Sequence, residues 1–330
     1  MLAERTRDDA LELTTRAHLE QVETALLEAA TADTALVTEA ARHVISAGGK
    51  RFRPLLVVLA SQFGPSAVPE DVVKAAVVVE LTHVASLYHD DVMDEALLRR
   101  AAPSANARWG NTVAILVGDF LFARASDLVA ELGPDYVKLQ ARTFARLVQG
   151  QIAETVGPGE SDPLEHYLAV IADKTGSLIA TSAVFGARLA GASADVQAAL
   201  QRFGEEIGVV FQLSDDIIDI TSDETGKTPG TDLREGVLTL PTLLARRAIG
   251  PDPIDPADAR LGELLGGDLG SDEALAEALS LLRAHRAVAE ARAEVQRRAA
   301  AARRLLAPLP DGPAKDALAE LCDTVVTRTR

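Results

Sequence analysis

Almost every segment of this chain prefers to be helical, and that preference restricts the possible folds more than any other feature. Aromatic residues make up only 4% of the 330, and the β-branched residues sit mostly in Ala- and Leu-rich surroundings, so intrinsic propensity favours helix over strand along the whole length. Apolar periodicity predicts helices over about 7–31, 34–47, 53–63, 70–99, 104–108, 112–132, 135–156, 162–190, 194–220, 238–249, 272–306 and 313–328. Breaks fall at Gly48-Gly49, Gly64-Pro65, Gly133-Pro134, Gly157-Pro158-Gly159 and the Pro- and Asp-rich run from Gly250 to Asp258, where the residue types punctuate a helix. No break is long enough for a domain linker and no repeat is visible, so the expectation is a single all-α domain over residues 1–330. The polar stretch from Asp223 to Gly236, with Lys227 and Asp232, is expected to be a loop, and a loop of that size is more often functional than idle.

Acidic residues outnumber basic ones 49 to 33, a net charge of −16, which argues against a nucleic-acid partner because phosphates need a basic surface. Any anionic ligand must be held by a local cluster of cations or by metal. The single cysteine, Cys322, can form no intramolecular disulfide and builds no zinc site, and a reducing compartment follows. The first ten residues are charged from Glu4 onward and lack a secretory apolar run, so the expected location is the cytoplasm. The longest apolar stretches, Leu55 to Ala60 and Ala75 to Val79, fall short of the roughly 20 residues that span a bilayer, so no transmembrane segment is expected.

The chemistry concentrates in two copies of one pattern, Asp90-Asp91-Val92-Met93-Asp94 and Asp215-Asp216-Ile217-Ile218-Asp219. On a helix, residues three and four apart share a face, so each copy presents a carboxylate cluster. Like charges at that spacing destabilise a helix, and burying an unpaired carboxylate costs far more, so something cationic must sit beside them. Oxygen-only ligation with no His or Cys in the pattern suits Mg2+, which bridges carboxylates to phosphates. One such pattern alone can be a solvated acidic turn. Two copies inside apolar helices point to metal, with a diphosphate as the ligand.

Cations complete the pattern. Gly48-Gly49-Lys50-Arg51-Phe52-Arg53-Pro54 puts three basic residues at a glycine break before a helix start, where free N–H groups also attract anions. Arg99-Arg100 follows the first acidic pattern, Lys174-Thr175-Gly176 interrupts an apolar helix, and Lys227 follows the second pattern. Any one of these alone reads as an ordinary solvated charge. His83 lies seven residues before Asp90 and therefore on nearly the same helical face, which makes a ligand contact plausible where a lone core histidine would otherwise be the simpler reading.

As a set, these residues resemble the trans-type isoprenyl diphosphate synthases, or polyprenyl synthetases, and most of all the long-chain members. The resemblance runs from about Gly48 to Pro241 and includes Gly-Gly-Lys-Arg-x-Arg-Pro, His-Asp-Asp-x-x-Asp at 89 to 94, the Arg pair, Gly118-Asp119, Lys174-Thr175 and Phe211-Gln212-x-x-Asp-Asp-x-x-Asp. It implies an all-α helical bundle around a deep central cavity, in a homodimer, with the two acidic patterns facing each other across the cavity mouth. It further implies that Mg2+, held by Asp90, Asp91, Asp94, Asp215, Asp216 and Asp219, binds an allylic diphosphate with help from Arg99, Lys174, Thr175, Gln212 and Lys227. Isopentenyl diphosphate is implied to bind through Lys50, Arg53, His83 and Arg100. Asp90, Asp91, Asp94, Lys174, Asp215 and Asp216 form the implied catalytic set, and no protein nucleophile is required. Release of the product at a membrane surface is also implied. Two departures stand out: Ala101 where the family commonly has Gly after the Arg pair, and Val237 where it commonly has Lys before Thr-Leu-Pro.

Product length is expected to depend on Ala85 and Ser86, the fifth and fourth positions before Asp90. Short-chain members often carry a large aromatic there, so two small residues resemble the medium- and long-chain enzymes, including those that supply menaquinone side chains. A helix running from about residue 72 to Asp90 would line a tunnel about 27 Å deep at 1.5 Å per residue. Ala85 and Ser86 could instead merely permit close helix packing, with the floor at Phe144 or Leu147. The alternatives are a short-chain farnesyl or geranylgeranyl synthase, a class I terpene cyclase, whose second metal site typically mixes Asn, Ser and Glu, and a non-catalytic synthase subunit, which usually lacks the acidic patterns complete here.

Overall fold

A computed structural model of the chain describes residues 2–221 and 229–328. Apart from one two-residue hairpin, the regular elements are helices. They fall into two compact units, the described parts of residues 1–146, 177–204 and 305–318 in one and of 147–176, 205–304 and 319–330 in the other. The chain passes between them five times, among them inside the helices Pro134–Val156, Ala194–Thr221 and Pro313–Thr327.

The first unit is organised by the helix Pro69–Met93. Pro69 sits at the first helical position with Glu70 and Asp71 in the first turn, a start favoured by proline's fixed φ and by the helix dipole. Its residues from Val72 to Tyr88 are apolar nearly all round and mostly buried, as expected of a central helix. The helices Asn111–Leu132, Phe52–Ala60, Leu2–Ala29 and Ser177–Leu189 pack on it. Glycines permit close approaches: a Cβ on Gly118 would collide with the His89 imidazole, and one on Gly186 with the Val57 carbonyl oxygen. Pro69–Met93 and the helical stretch Pro163–Leu189 are long and apolar enough to cross a bilayer, but 78% and 67% of their apolar windows are buried, which makes them core helices. The second unit has its own core, in which Ile220, Leu233, Leu261, Leu264, Leu275, Leu279, Leu282 and Val288 pack together.

The structure departs from the periodicity at five places. The helix expected over 70–99 ends at Met93: Glu95 takes a left-handed conformation (φ 49°), the Ala96 N–H donates to the Asp91 carbonyl at 2.9 Å and the Glu95 N–H to that of Val92 at 3.4 Å. This is a Schellman stop made without the usual glycine, so nothing in the sequence announces it. The chain then turns through the pair Leu98–Arg99 and Ala102–Pro103. The helix expected over 162–190 contains a π turn at Ala172–Gly176. The run 250–258 is a break only in its first half, because Asp255 caps, and Pro256 begins, the helix Pro256–Gly266. The helix expected over 272–306 is broken at His285, whose extended backbone ends Asp272–Ala284 and whose Nδ1 accepts from the Ala287 N–H at 3.1 Å. Thr231–Arg234 forms one helical turn within the stretch expected to be loop.

Candidate active site

In the first unit the basic residues gather at the C-terminal half of Pro69–Met93. The turn before Phe52–Ala60 carries Lys50, exposed at the surface, and Arg51, and the first turn of the helix carries Arg53. Arg53 is pushed down to about 10 by burial, with Arg100 adding to the effect, and its Nε has no hydrogen-bond partner. Arg100 donates to the Val44 carbonyl at 2.9 Å and to that of Gly48. Burial, then Arg53, Arg100, Arg99 and Arg51, hold His83 well below its usual range, so it is neutral. Glu80, 2% exposed, is the buried carboxylate among these cations. A half-buried group with more positive than negative charge is relieved by an anion.

Arg51 does not join that set. Its guanidinium turns inward to Glu80 and Glu23. The hairpin places Arg99 on the first acidic pattern: Nε and Nη2 both approach Asp91 Oδ1, at 2.7 and 2.5 Å. Asp91 is fully buried, and its Oδ2 has no partner. Burial raises its carboxyl pKa, and the Arg99 hydrogen bond opposes that rise. Asp90 is half-buried, and Asp94, at the helix end, donates its N–H to the Asp90 carbonyl at 2.8 Å. Ala85 and Ser86 are both buried. Ser86 donates to the His83 carbonyl at 2.8 Å, and Ala85 lies where Gly118 approaches. Phe144 packs at a tilt on Phe122 at 4.4 Å between ring centres, and Phe122 on His89 at 5.7 Å, an aromatic row that ends at the residue before Asp90.

The second unit holds Lys174, Thr175, Gln212 and the other acidic pattern. The π turn presents Lys174 and Thr175; such an insertion re-aims side chains and recurs at functional sites. Gly150 allows it, since a Cβ there would stand 2.8 Å from the Lys174 backbone nitrogen. Lys174 Nζ pairs with Glu154 at 2.6 Å. Thr175 donates to Gln212 Oε1 at 3.3 Å, Gln212 Nε2 donates to Asp216 Oδ1 at 3.0 Å, and Tyr167 donates to Asp216 Oδ2. Burial pushes Asp216 up to about 7 despite those two donors, and the buried Tyr167 hydroxyl is raised well above its ordinary value by burial and by the Asp216 charge. Asp215 pairs with Arg328 at 2.6 Å, and that guanidinium lies over the Phe211 ring. Asp219 Oδ2 accepts from the Asp232 N–H at 3.3 Å. Val237 is partly exposed and supplies no charge. Lys227 lies outside the described residues.

Among the described residues no three His, Cys, Asp or Glu side chains stand assembled around a metal position. The donors nevertheless fit a hard divalent cation in kind. All are carboxylate oxygens, Asp91 Oδ2 is buried and unpartnered, and Asp216 is buried with only neutral donors identified on its oxygens; a cation would relieve both. Sequence reasoning missed Glu80, Glu154, Tyr167 and Arg328. Glu80 is the lone charge in the run Val77 to Leu81, and Tyr167 is seven residues before Lys174, hence on its face; both were signals. Arg328 had none.

A bundle of this kind, with two acidic helix patterns and half-buried arginines, is the all-α isoprenoid synthase fold. Two solved structures share it: a polyprenyl synthase from Caulobacter crescentus, complexed with calcium and isoprenyl diphosphate (TM-score 0.89, 33% identity, 98% of each chain covered), and a geranylgeranyl pyrophosphate synthase from Corynebacterium glutamicum with the same ligands (TM-score 0.85, 46% identity, 97% of this chain and 98% of that one). The nonaprenyl diphosphate synthase of Mycobacterium tuberculosis is 51% identical over 296 residues, 89% of this chain and 87% of that protein. The profile of the polyprenyl synthetase family matches residues 34–282, and the chain belongs to that family. It is a prenyltransferase.

Proposed function

We propose that this enzyme condenses isopentenyl diphosphate with an allylic diphosphate, using Mg2+, to make a medium- or long-chain all-trans polyprenyl diphosphate. The observation that carries the reading is the half-buried group of Arg53, Arg100 and neutral His83, whose positive charge exceeds what Glu80 cancels and in which the buried Arg53 Nε has no protein partner. Such a group binds a diphosphate without metal, with the guanidinium forks and the exposed Lys50 on its oxygens. Neutral His83 adds a hydrogen bond and no further charge.

The acidic patterns serve the other substrate. Asp90, Asp91, Asp94, Asp215, Asp216 and Asp219 would hold the metal, which when bound neutralises the charge growing on the departing allylic diphosphate. Lys174, held by Glu154, and Thr175, held by Gln212, supply the remaining donors to that diphosphate. Arg99 is poised to exchange part of its hold on Asp91 for a phosphate oxygen. Apolar surroundings would keep water from the allylic cation until the isopentenyl double bond attacks it, after which a proton leaves, to the released diphosphate, and the chain is five carbons longer.

Length assignment draws on small Ala85 and Ser86 and on the likeness to a nonaprenyl synthase. The likeness to a geranylgeranyl synthase supports a shorter product as the second reading. Incubation with Mg2+, isopentenyl diphosphate and separate allylic primers, followed by chromatography of the dephosphorylated products, decides between them: products beyond four isoprene units confirm the first, and a stop at four or fewer overturns it. The proposal extends to a homodimer, for which exposed Ile115 and Leu116 on Asn111–Leu132 offer apolar surface; a monomer by light scattering would refute that part.

A further inference from the structure

One residue in the basic stretch Lys50-Arg51-Phe52-Arg53 is built into the protein and not toward a ligand. Arg51 Nη1 donates to Glu80 Oε1 at 2.9 Å, Nη2 donates to Glu23 Oε2 at 3.0 Å and to the Ile45 carbonyl at 2.9 Å, and Nε reaches Glu23 Oε1. One guanidinium thus ties the helices Leu2–Ala29 and Pro69–Met93 to the end of Ala35–Ser46 and the start of Phe52–Ala60. Both ends of the central contact are buried, Arg51 with 8% and Glu80 with 2% exposure. Arg51 also holds φ 47° and ψ 37°, the left-handed region that a residue with a Cβ occupies only when its surroundings dictate it. Gly49 is enclosed by the same clamp: a Cβ there would stand 3.0 Å from Arg51 Nη1 and 3.1 Å from Arg100 Cζ. The turn carrying Lys50 and Arg53 and the docking place of Arg100 are therefore shaped by one side chain.

We propose that Arg51, clamped by Glu23 and Glu80, is a positioning residue for the isopentenyl diphosphate site: it fixes the left-handed turn that aims Lys50 and Arg53 and walls the place where Arg100 docks, without touching the substrate. The inference rests on the reading that Lys50, Arg53 and Arg100 bind that diphosphate. A fixed geometry of donors matters because misplacement of a binding group costs affinity even when its charge is kept. Charge and geometry make opposite forecasts here. Glu80→Gln makes the region more positive, and Arg51→Lys leaves its charge unchanged while losing the fork that reaches Glu23, Glu80 and Ile45 at once.

The test measures both KM values, kcat, thermal unfolding, and calorimetric binding of inorganic pyrophosphate in EDTA, where only the cation site binds it. Arg51→Lys and Glu80→Gln should each raise the KM for isopentenyl diphosphate by about tenfold and weaken pyrophosphate binding alike, with the KM for the allylic primer within about twofold of wild type. Glu23→Gln, which removes the more exposed arm, should give about a threefold rise in a well-folded protein. Tighter pyrophosphate binding by Glu80→Gln together with an unaffected Arg51→Lys would show a site governed by charge alone and overturn the inference. Unfolding of both variants, with Glu23→Gln at the wild-type KM, would overturn it equally by assigning the clamp to stability. Failure of the underlying reading looks different: Arg53→Gln would leave the KM for isopentenyl diphosphate unchanged, or the wild type would not turn over.

Discussion

In the first unit Asp91 is closed by a cation, the Arg99 guanidinium, whereas in the second Asp216 is held by the neutral donors Tyr167 and Gln212. The two carboxylates occupy the same place in the same spacing, and both are buried. A guanidinium cancels charge as well as donating hydrogen bonds; a phenol and an amide only donate. Asp216 itself therefore has its charge less offset than Asp91 does, although its neighbour Asp215 pairs with Arg328, and burial pushes Asp216 up to about 7. The first unit instead carries half-buried positive charge around His83. The difference teaches that identical motifs need not be equivalent: one carboxylate already meets a cation of the protein's own, while the other meets neutral donors and is better served by a cation supplied from outside.

The largest effects should come from removing that outside cation or its ligands. Turnover should vanish in EDTA and return with Mg2+, and Asp91→Ala and Asp216→Ala should each lower kcat by roughly 10²–10³-fold with helix content unchanged by circular dichroism. Full activity in chelator would sink the metal reading. Next in size, Arg53→Gln should raise the KM for isopentenyl diphosphate by roughly tenfold or more and the allylic KM much less, while Lys174→Ala shows the opposite bias. Equal effects on both substrates would erase the division between the regions. Tyr167→Phe should lower kcat by about tenfold and raise the Mg2+ concentration needed for half-maximal rate, because Asp216 loses a donor that orients it; a rate and metal requirement like those of wild type would show that Gln212 suffices.

Smaller effects concern the walls. Ser86→Phe should shorten the products to about three or four isoprene units, because a rigid ring enters a close-packed wall. Ala85→Phe is the poorer probe, since Ala85 is fully buried where Gly118 approaches and overpacking there should cost about 1–3 kcal/mol of stability. An unchanged product distribution from Ser86→Phe would move the floor elsewhere, with the Phe122–Phe144 pair as the next candidate. Smallest of all, Ala101→Gly should stabilise the protein by about 0.5–1 kcal/mol, read as a rise in Tm, because Ala101 stands at φ 61° in the two-residue hairpin turn, where a Cβ is strained. No change in Tm would mean that the turn relaxes freely.

Much of the fold was legible because its signals are local. Glycine and proline at 48–49, 64–65, 133–134 and 157–159 end helices wherever they occur, and the π turn fell where Lys174-Thr175-Gly176 interrupts the apolar run. The helix end at Met93 was not legible because Glu95, with no glycine near, takes the left-handed position. The start of Pro256–Gly266 was misread because Asp255-Pro256 marks a helix start as readily as a break. Among the site residues, the cations and carboxylates were recognisable by type, but Arg51 and Arg53 look alike in sequence and differ only in which way the turn points them.

By itself, then, the sequence determined the all-helical class and the two carboxylate patterns, since helix propensity and the spacing of residues three and four apart act within a single helix. Partnership was decided by tertiary structure. Tyr167 reaches Asp216 across 49 residues and Arg328 reaches Asp215 across 113, and Arg99 meets Asp91 only because a hairpin turns the chain back. Whether a carboxylate receives a charge or a neutral donor depends on how the helices pack and where the chain reverses, and no run of neighbouring residues encodes that.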